Sequence, residues 1–277
     1  MKWSKLGRVF EPVQHTLPFG CSEFAQSPQA LVLSDRVRIY FSTRLKDDGG
    51  KFLSHIAFVD FDRQMRGIIG VSMDTVIKLG ELGSFDEHGI FPINVIRNEG
   101  KVYAFTCGWS RRKSVSVETS IGLALSDDNG LTFRKFGDGP IFTSSLFELF
   151  LVGDPFVAVY GGIWHMWYIY GTRWFDSPPE SSPARVYKIG HATSADGRDW
   201  LRTGRQLISD ALNENECQAL PTVIEIDGRF HMYFCYREAT DFRTNKLRGY
   251  RLGYAYSDDL RTWTRDDNNA GIRLSED

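Results

Sequence analysis

The chain has 277 residues, of which 42% are hydrophobic and 25% charged, and its formal net charge is −2. That length supports one large all-β domain or two ordinary ones, and the charge balance makes no bulk electrostatic demand for nucleic acid or an anionic membrane. No apolar run near Met1 could serve as a signal peptide and no stretch reaches the length of a membrane span, so the expected location is cytoplasmic. Cys21, Cys107, Cys217 and Cys235 lie far apart without a CxxC pair. Reduced thiols are therefore expected, and no zinc site, redox motif or other cofactor is implied.

In chain order, a strand is expected around Arg8 to Pro12, and after it the elements repeat. Pro28 opens a hairpin over Ala30 to Phe41 that turns at Ser34-Asp35, with a divergent third strand at His55 to Val59. Pro92 opens Ile93 to Phe105, turning at Glu99-Gly100, with a third strand at Ile121 to Leu125. Pro155 opens Phe156 to Tyr168, turning at Gly161-Gly162, with a Pro/Ser-rich insertion at Ser177 to Pro183 and a third strand at Ile189 to Thr193. Pro221 opens Thr222 to Phe234, turning at Asp227-Gly228, with a third strand at Leu252 to Tyr256. These turn residues tolerate the positive φ of tight hairpins. In the last three units a Ser-Asp turn and an aromatic follow, at Ser126 to Phe133, Ser194 to Trp200 and Ser257 to Trp263. There the Ser and Asp side chains are expected to bond the turn backbone.

The four prolines are spaced 64, 63 and 66 residues apart. Four-stranded units repeated in this way are the blades of a β-propeller, longer than the ~40–45 residues of a WD repeat or the ~50 of kelch. The expected fold is thus all-β, a single propeller domain over 1–277. The 14% aromatic content, with seven Trp, suits strands and the flat surfaces on which sugar rings stack.

Neighbouring strands of a blade run antiparallel, so the start of each first strand and the end of each second strand share one end of the propeller. Five positions before the prolines stand Glu23, Glu87 and Glu216, with Phe150 breaking the series. Asp154 directly precedes Pro155, and Asp86, His88 and Glu214 flank the same rim. A single loop carboxylate is as readily a solvated turn cap, but several from different blades aimed at one axis read as a site. Glycosidic bond cleavage needs two carboxyl groups, one protonated and one ionised. The second strands end in Arg44, Arg111 with Arg112, Arg173 and Arg237. These form either a basic rim for an anionic sugar substrate or neutralisers of nearby carboxylates. His88, Glu214, Gln218, Trp109 and the arginines are the substrate-binding candidates.

These residues resemble the five-bladed propeller glycoside hydrolases, the group that includes families 32, 43, 62, 68 and 130. Gly153-Asp154-Pro155-Phe156-Val157 looks like their middle-blade Asp-Pro motif, and Glu216-Cys217 like the motif whose Glu is the general acid. The whole chain also resembles an uncharacterised propeller group encoded among bacterial surface-polysaccharide genes, through Phe24 to Ala30, Phe85 to Pro92 and Glu216 to Pro221. The resemblance implies Glu216 as general acid and Asp154 as the residue that positions substrate or tunes that acid, while the shared rim of first-strand carboxylates suggests Glu87 or Asp86 as base. Those hydrolases place an Asp directly before the first-blade Pro, where this chain has Ser27. A glycosidase-like enzyme is the leading expectation. A glycosyltransferase or phosphorylase of surface-polysaccharide biosynthesis and a non-catalytic glycan-binding propeller are the alternatives. A six-bladed sialidase fits less well, since only Ser126, Asp128, Gly130 and Phe133 follow its Asp-box spacing in full. At this period the next Pro falls near residue ~285, so most of a fifth blade is expected to be missing from this chain, leaving an unpaired edge open to self-association.

Overall fold

The computed structural model describes residues 3–21, 23–176 and 183–272. Among these, the strands form four antiparallel meanders. The first comprises β1 (Glu23–Val32), β2 (Arg36–Lys46), β3 (Phe52–Asp62) and β4 (Ile68–Val71). The second comprises β5 (Gly89–Asn98), β6 (Lys101–Arg111), β7 (Val117–Ser126) and β8 (Arg134–Lys135). The third comprises β9 (Phe150–Tyr160), β10 (Ile163–Phe175), β11 (Ala184–Ser194) and β12 (Leu201–Arg202). The fourth comprises β13 (Glu216–Ile226), β14 (Arg229–Glu238), β15 (Arg251–Ser257) and β16 (Thr264–Arg265). One parallel pair, Ser54 with Gly89, joins the first two meanders into a single sheet. The insertion expected over Ser177 to Pro183 lies, apart from Pro183, outside the described residues.

Two compact units contain these sheets. One spans Leu6–Arg111 and Val117–Thr143 and carries the first two meanders. The other takes in the described parts of Met1–Lys5, Arg112–Ser116 and Ser144–Asp277 and carries the last two. The β1–β8 unit packs a core of Tyr40, Ile56, Ile90, Ile93 and Ala104, with a second cluster of Leu17, Cys21, Phe41, Ala57 and Phe61. The β9–β16 unit packs Trp167, Ile189, Met232, Phe234 and Ala255. Each fully buried large side chain of this kind contributes roughly 1.5–3 kcal/mol.

Two sequence expectations change. No strand forms around Arg8 to Pro12. That segment runs into a 3-10 turn at Pro12–Gln14, because Pro12 has no N–H to give a ladder and its fixed φ suits the first position of a turn. The four repeat prolines lie inside the inner strands rather than opening them. At each, four residues of the inner strand span three of its neighbour. Gln26 to Gln29 faces Ser42 to Tyr40, Ile90 to Ile93 faces Gly108 to Thr106, Gly153 to Phe156 faces Ile169 to Trp167, and Ala219 to Thr222 faces Cys235 to Tyr233. Proline donates no ladder hydrogen bond, and a bulge is one of the few strand positions that tolerates it. The preceding residues Ser27, Asp154 and Leu220 adopt φ of 52°, 46° and 51°. A left-handed non-glycine residue costs of order 1–3 kcal/mol, and a bulge re-aims the side chain it carries.

Candidate functional site

Of the carboxyl groups singled out in the sequence, Asp154 is the one the fold sets apart. It occupies the left-handed pre-proline position of β9 and keeps a partial exposure to solvent. Its carboxyl nevertheless sits deep enough in protein that desolvation pushes it up to about 6, against the opposing effects of the Leu220 N–H and the Arg185 charge. The Leu220 N–H donates to its Oδ2 at 3.3 Å. A carboxyl group that holds its proton near neutrality and keeps some access suits general acid–base work.

Glu216, expected as general acid, has the opposite character. It is fully buried, and its Oε2 accepts from the Ala211 and Leu212 N–H groups at 2.8 and 2.9 Å. Its Oε1 accepts from Gln218 at 3.0 Å and from Arg265 at 2.6 Å. Desolvation raises its pKa, but the Gln218 and Arg265 hydrogen bonds and the backbone donor outweigh it, and the carboxyl stays below its usual range. An ionised, enclosed carboxylate has no proton to give. Gln218, expected to bind substrate, is equally buried and is spent on Glu216, Ile208 and Asp210. Lys188 completes this network, reaching Asp210 Oδ1 at 2.7 Å and the Glu216 carbonyl at 2.8 Å. Glu148, which no sequence motif marks, is likewise buried and consumed by Tyr168 and Arg202.

The arginines are not equivalent. Arg173 is exposed beside Glu214 and Asn215, with its guanidinium 4.8 Å above the Phe175 ring. Arg237, expected to contact substrate, is 4% exposed. Its NH1 donates to the Glu238 and Ala239 carbonyls at 2.6 and 3.3 Å, its NH2 to Tyr187 Oη at 2.8 Å, and Phe242 lies 3.5 Å over its guanidinium. Arg237 therefore pins the backbone where β14 ends. Beside that segment lies a cavity of about 270 Å³ lined by Phe175, Asn213, Asn215, Glu238, Thr240 and Arg248. None of these was expected from sequence. The available signal was the Asn213-Glu214-Asn215 run together with the aromatic end of β10.

The β1–β8 unit carries the other candidates. Asp86, expected as a candidate base, is fully buried and paired with Lys135 at 2.5 Å. Glu87 retains 17% side-chain exposure, accepts from the Gly83 N–H at 2.7 Å and lies 3.1 Å from His88 Nδ1. The Arg111 N–H also approaches that Nδ1, at 3.3 Å. Burial, followed by the Arg111 charge, holds His88 below its ordinary pKa. His88 stacks on Trp109 at 5.8 Å. Gly89 permits this arrangement, since a Cβ there would stand 2.3 Å from the Trp109 indole nitrogen. Arg111 is spent on Asp47 at 2.8 Å and the Phe52 carbonyl at 2.9 Å. Arg44 lies among the rings of Phe24, Phe52 and Phe91, and Glu23 is exposed. Among the described residues no group of three or more His, Cys, Asp or Glu side chains could hold a metal ion, and no helix is long and apolar enough to cross a membrane.

The fold is that of the propeller glycoside hydrolases. A glycoside hydrolase structure superposes with a TM-score of 0.68 at 15% identity, covering 90% of this chain and 75% of that one. BT0996 in its RGII complex gives 0.65 at 15% identity, covering 86% and 72%. The Bombyx mori β-fructofuranosidase BmSUC1 gives 0.62 at 12% identity, covering 87% and 48%. No family model matches. In sequence the protein is similar to uncharacterised proteins from two strains of Mycobacterium tuberculosis, 28% identical over 278 residues, covering 100% of this chain and 87% of each relative.

Proposed function

We propose that this chain is a carbohydrate-active propeller protein that acts on a glycosidic bond, with Asp154 as its proton-carrying group. The observation that carries the reading is Asp154 itself, a half-buried residue at a strained bulge position whose carboxyl has its pKa lifted to about 6 by desolvation. Two further facts support it. The fold is shared with glycoside hydrolases, and one structure of that fold is an RGII complex. The acid role expected of Glu216 passes to Asp154. The test is turnover of nitrophenyl glycosides, sugar nucleotides and sugar phosphates by the full chain and by Asp154→Asn. The variant should lose roughly 10²–10⁴ in rate and keep its ligand affinity. Full activity of Asp154→Asn on a verified substrate would remove the proposal.

A second reading is glycan binding without turnover. The observation favouring it is that the other left-handed pre-proline positions carry Ser27 and Leu220, so the re-aimed carboxyl of β9 is not repeated there. Saturable glycan binding with no release or transfer of sugar across all three substrate classes would establish it.

A further inference from the structure

We infer that the cavity beside the end of β14 is a subsite for one neutral sugar ring. The inference rests on the carbohydrate reading above and adds the ligand class and the residues that hold it. Three elements of the β9–β16 unit build the cavity. Phe175 closes β10, Asn213 and Asn215 precede β13, and Glu238, Ala239 and Thr240 end β14 and leave it, with Arg248 reaching across from the following 3-10 turn. Register places these ends together, since Glu216 pairs with Glu238 across β13 and β14.

The size and the polar groups both select the ligand. A volume of about 270 Å³ lies just under the ~300–1,000 Å³ range of pockets for drug-sized molecules, so it admits one ring rather than an oligosaccharide. Asn213 Nδ2 donates to both Glu238 oxygens at 3.1 and 3.0 Å, fixing the carboxylate before any ligand arrives. A carboxylate has about four acceptor sites, so Glu238 keeps capacity for ligand hydroxyls. Arg248 donates to the Thr240 carbonyl and hydroxyl at 3.1 Å each and comes within 3.6 Å of Glu238. Phe175 adds an aromatic surface of the kind on which the C–H face of a sugar packs.

The charges balance. Glu238 stands against Arg248, and Glu214 against Arg173 at 3.3 Å. An anionic ligand would meet the Glu238 carboxylate and a cationic one the Arg248 guanidinium, whereas a polyol ring can accept from one and donate to the other. Arg237 is the positioning residue, because its hydrogen bonds to the Glu238 and Ala239 carbonyls set the direction in which the Glu238 side chain leaves the backbone.

The experiment titrates the full chain with methyl glucoside, methyl galactoside, methyl mannoside and methyl arabinoside by calorimetry, with glucuronate and glucose 6-phosphate as charged counterparts. At least one neutral glycoside should bind. Glu238→Gln, which keeps the shape, should weaken it tenfold or more, because hydrogen bonds to a charged group are the stronger kind. Phe175→Leu, which keeps apolar volume and loses the ring, should also weaken it several-fold, and each variant is checked by its unfolding midpoint. Asp154→Asn should leave this affinity unchanged. The subsite is overturned if none of the four glycosides binds, if Glu238→Gln and Phe175→Leu bind as the parent does, or if a charged sugar binds tenfold tighter than every neutral one. Loss of turnover in Asp154→Asn with KM unmoved in Glu238→Gln would sink the subsite and spare the function. Lost glycoside binding in Glu238→Gln with full turnover in Asp154→Asn would do the reverse.

Discussion

Two carboxyl residues of the β9–β16 unit separate catalytic promise from structural duty, and their variants should behave in opposite ways. Asp154 has its folded pKa raised from 3.8 to about 6, so the folded state holds a proton that the unfolded chain has already lost. Stability from this source falls as pH rises between about 4 and 6, and the cost is complete above that window. Fully expressed, the shift corresponds to about 3 kcal/mol, and the residual exposure of Asp154 reduces it to about 1–2. Asp154→Asn is therefore expected to gain about 1–2 kcal/mol at pH 7 and to flatten the pH dependence across that window, read by urea unfolding. A variant no more stable than the parent at pH 7 would show that Asp154 is solvated. Glu216 has its folded pKa depressed, so its contribution is present above the unfolded value near ~4.3 and is lost as pH falls through the folded one. Removing its charge leaves Arg265 facing a neutral amide in a buried site, and Glu216→Gln should cost about 3 kcal/mol. That loss should appear in the unfolding midpoint before it appears in any assay of turnover. An active variant of unchanged stability would contradict the structural assignment.

At the scale of elements, the repeat was legible because turn chemistry is local. Ser126, Ser194 and Ser257 each donate to the Asp two residues on, at 2.7, 3.0 and 3.1 Å. Each serine oxygen then accepts a backbone N–H of the turn, from Gly130, Gly197 and Leu260 at 2.8, 2.9 and 2.9 Å. These motifs are closed within a few residues, so sequence alone carries them. Asp196→Ala removes the acceptor for the Arg198 and Asp199 N–H groups and should cost about 1–2 kcal/mol without altering glycan affinity. Changed affinity at unchanged stability would mean that the turn touches ligand. The bulges were less legible. Proline announced that something happens at 28, 92, 155 and 221, but a strand start and a bulge both excuse the missing N–H. Only the register of the neighbouring strand separates the two. The same ambiguity explains Glu216. Its place at the start of β13 follows from the repeat, whereas its burial depends on Arg265, 49 residues away in sequence, and no local pattern reports that partner.

For the molecule as a whole, the all-β propeller fold was readable from a period of about 64 residues, because each meander must bury its faces against others of its kind. The cavity was not readable, since its lining comes from four separate stretches that only the tertiary fold assembles. The N-terminal segment illustrates the same limit. Arg8 to Pro12, expected as a strand, runs into a 3-10 turn of the β1–β8 unit with Phe10 packed on Phe41, while Trp3 is held in the β9–β16 unit. The Trp3 indole N–H lies 3.2 Å from both Tyr233 Oη and the Ala270 carbonyl, and its ring meets Tyr233 edge-on at 5.4 Å between centroids. Tyr233 Oη itself donates to the Ala270 carbonyl at 3.1 Å, so Trp3 and Tyr233 together hold the segment that follows β16. Trp3 remains 51% exposed, which limits its hydrophobic share. With a shared hydrogen bond and one edge-on ring contact, Trp3→Ala should cost about 1–2 kcal/mol. Trp3→Phe, which keeps the ring and loses the N–H, should recover part of that. Hydrogen exchange provides the local readout. In Trp3→Ala the Ala270 amide, bonded to the Asp267 carbonyl, should lose protection, while amides of β5 and β6 in the other unit keep theirs. Equal loss of protection in both units would show that Trp3 acts on global stability, and unchanged protection at Ala270 would show that the contact holds nothing.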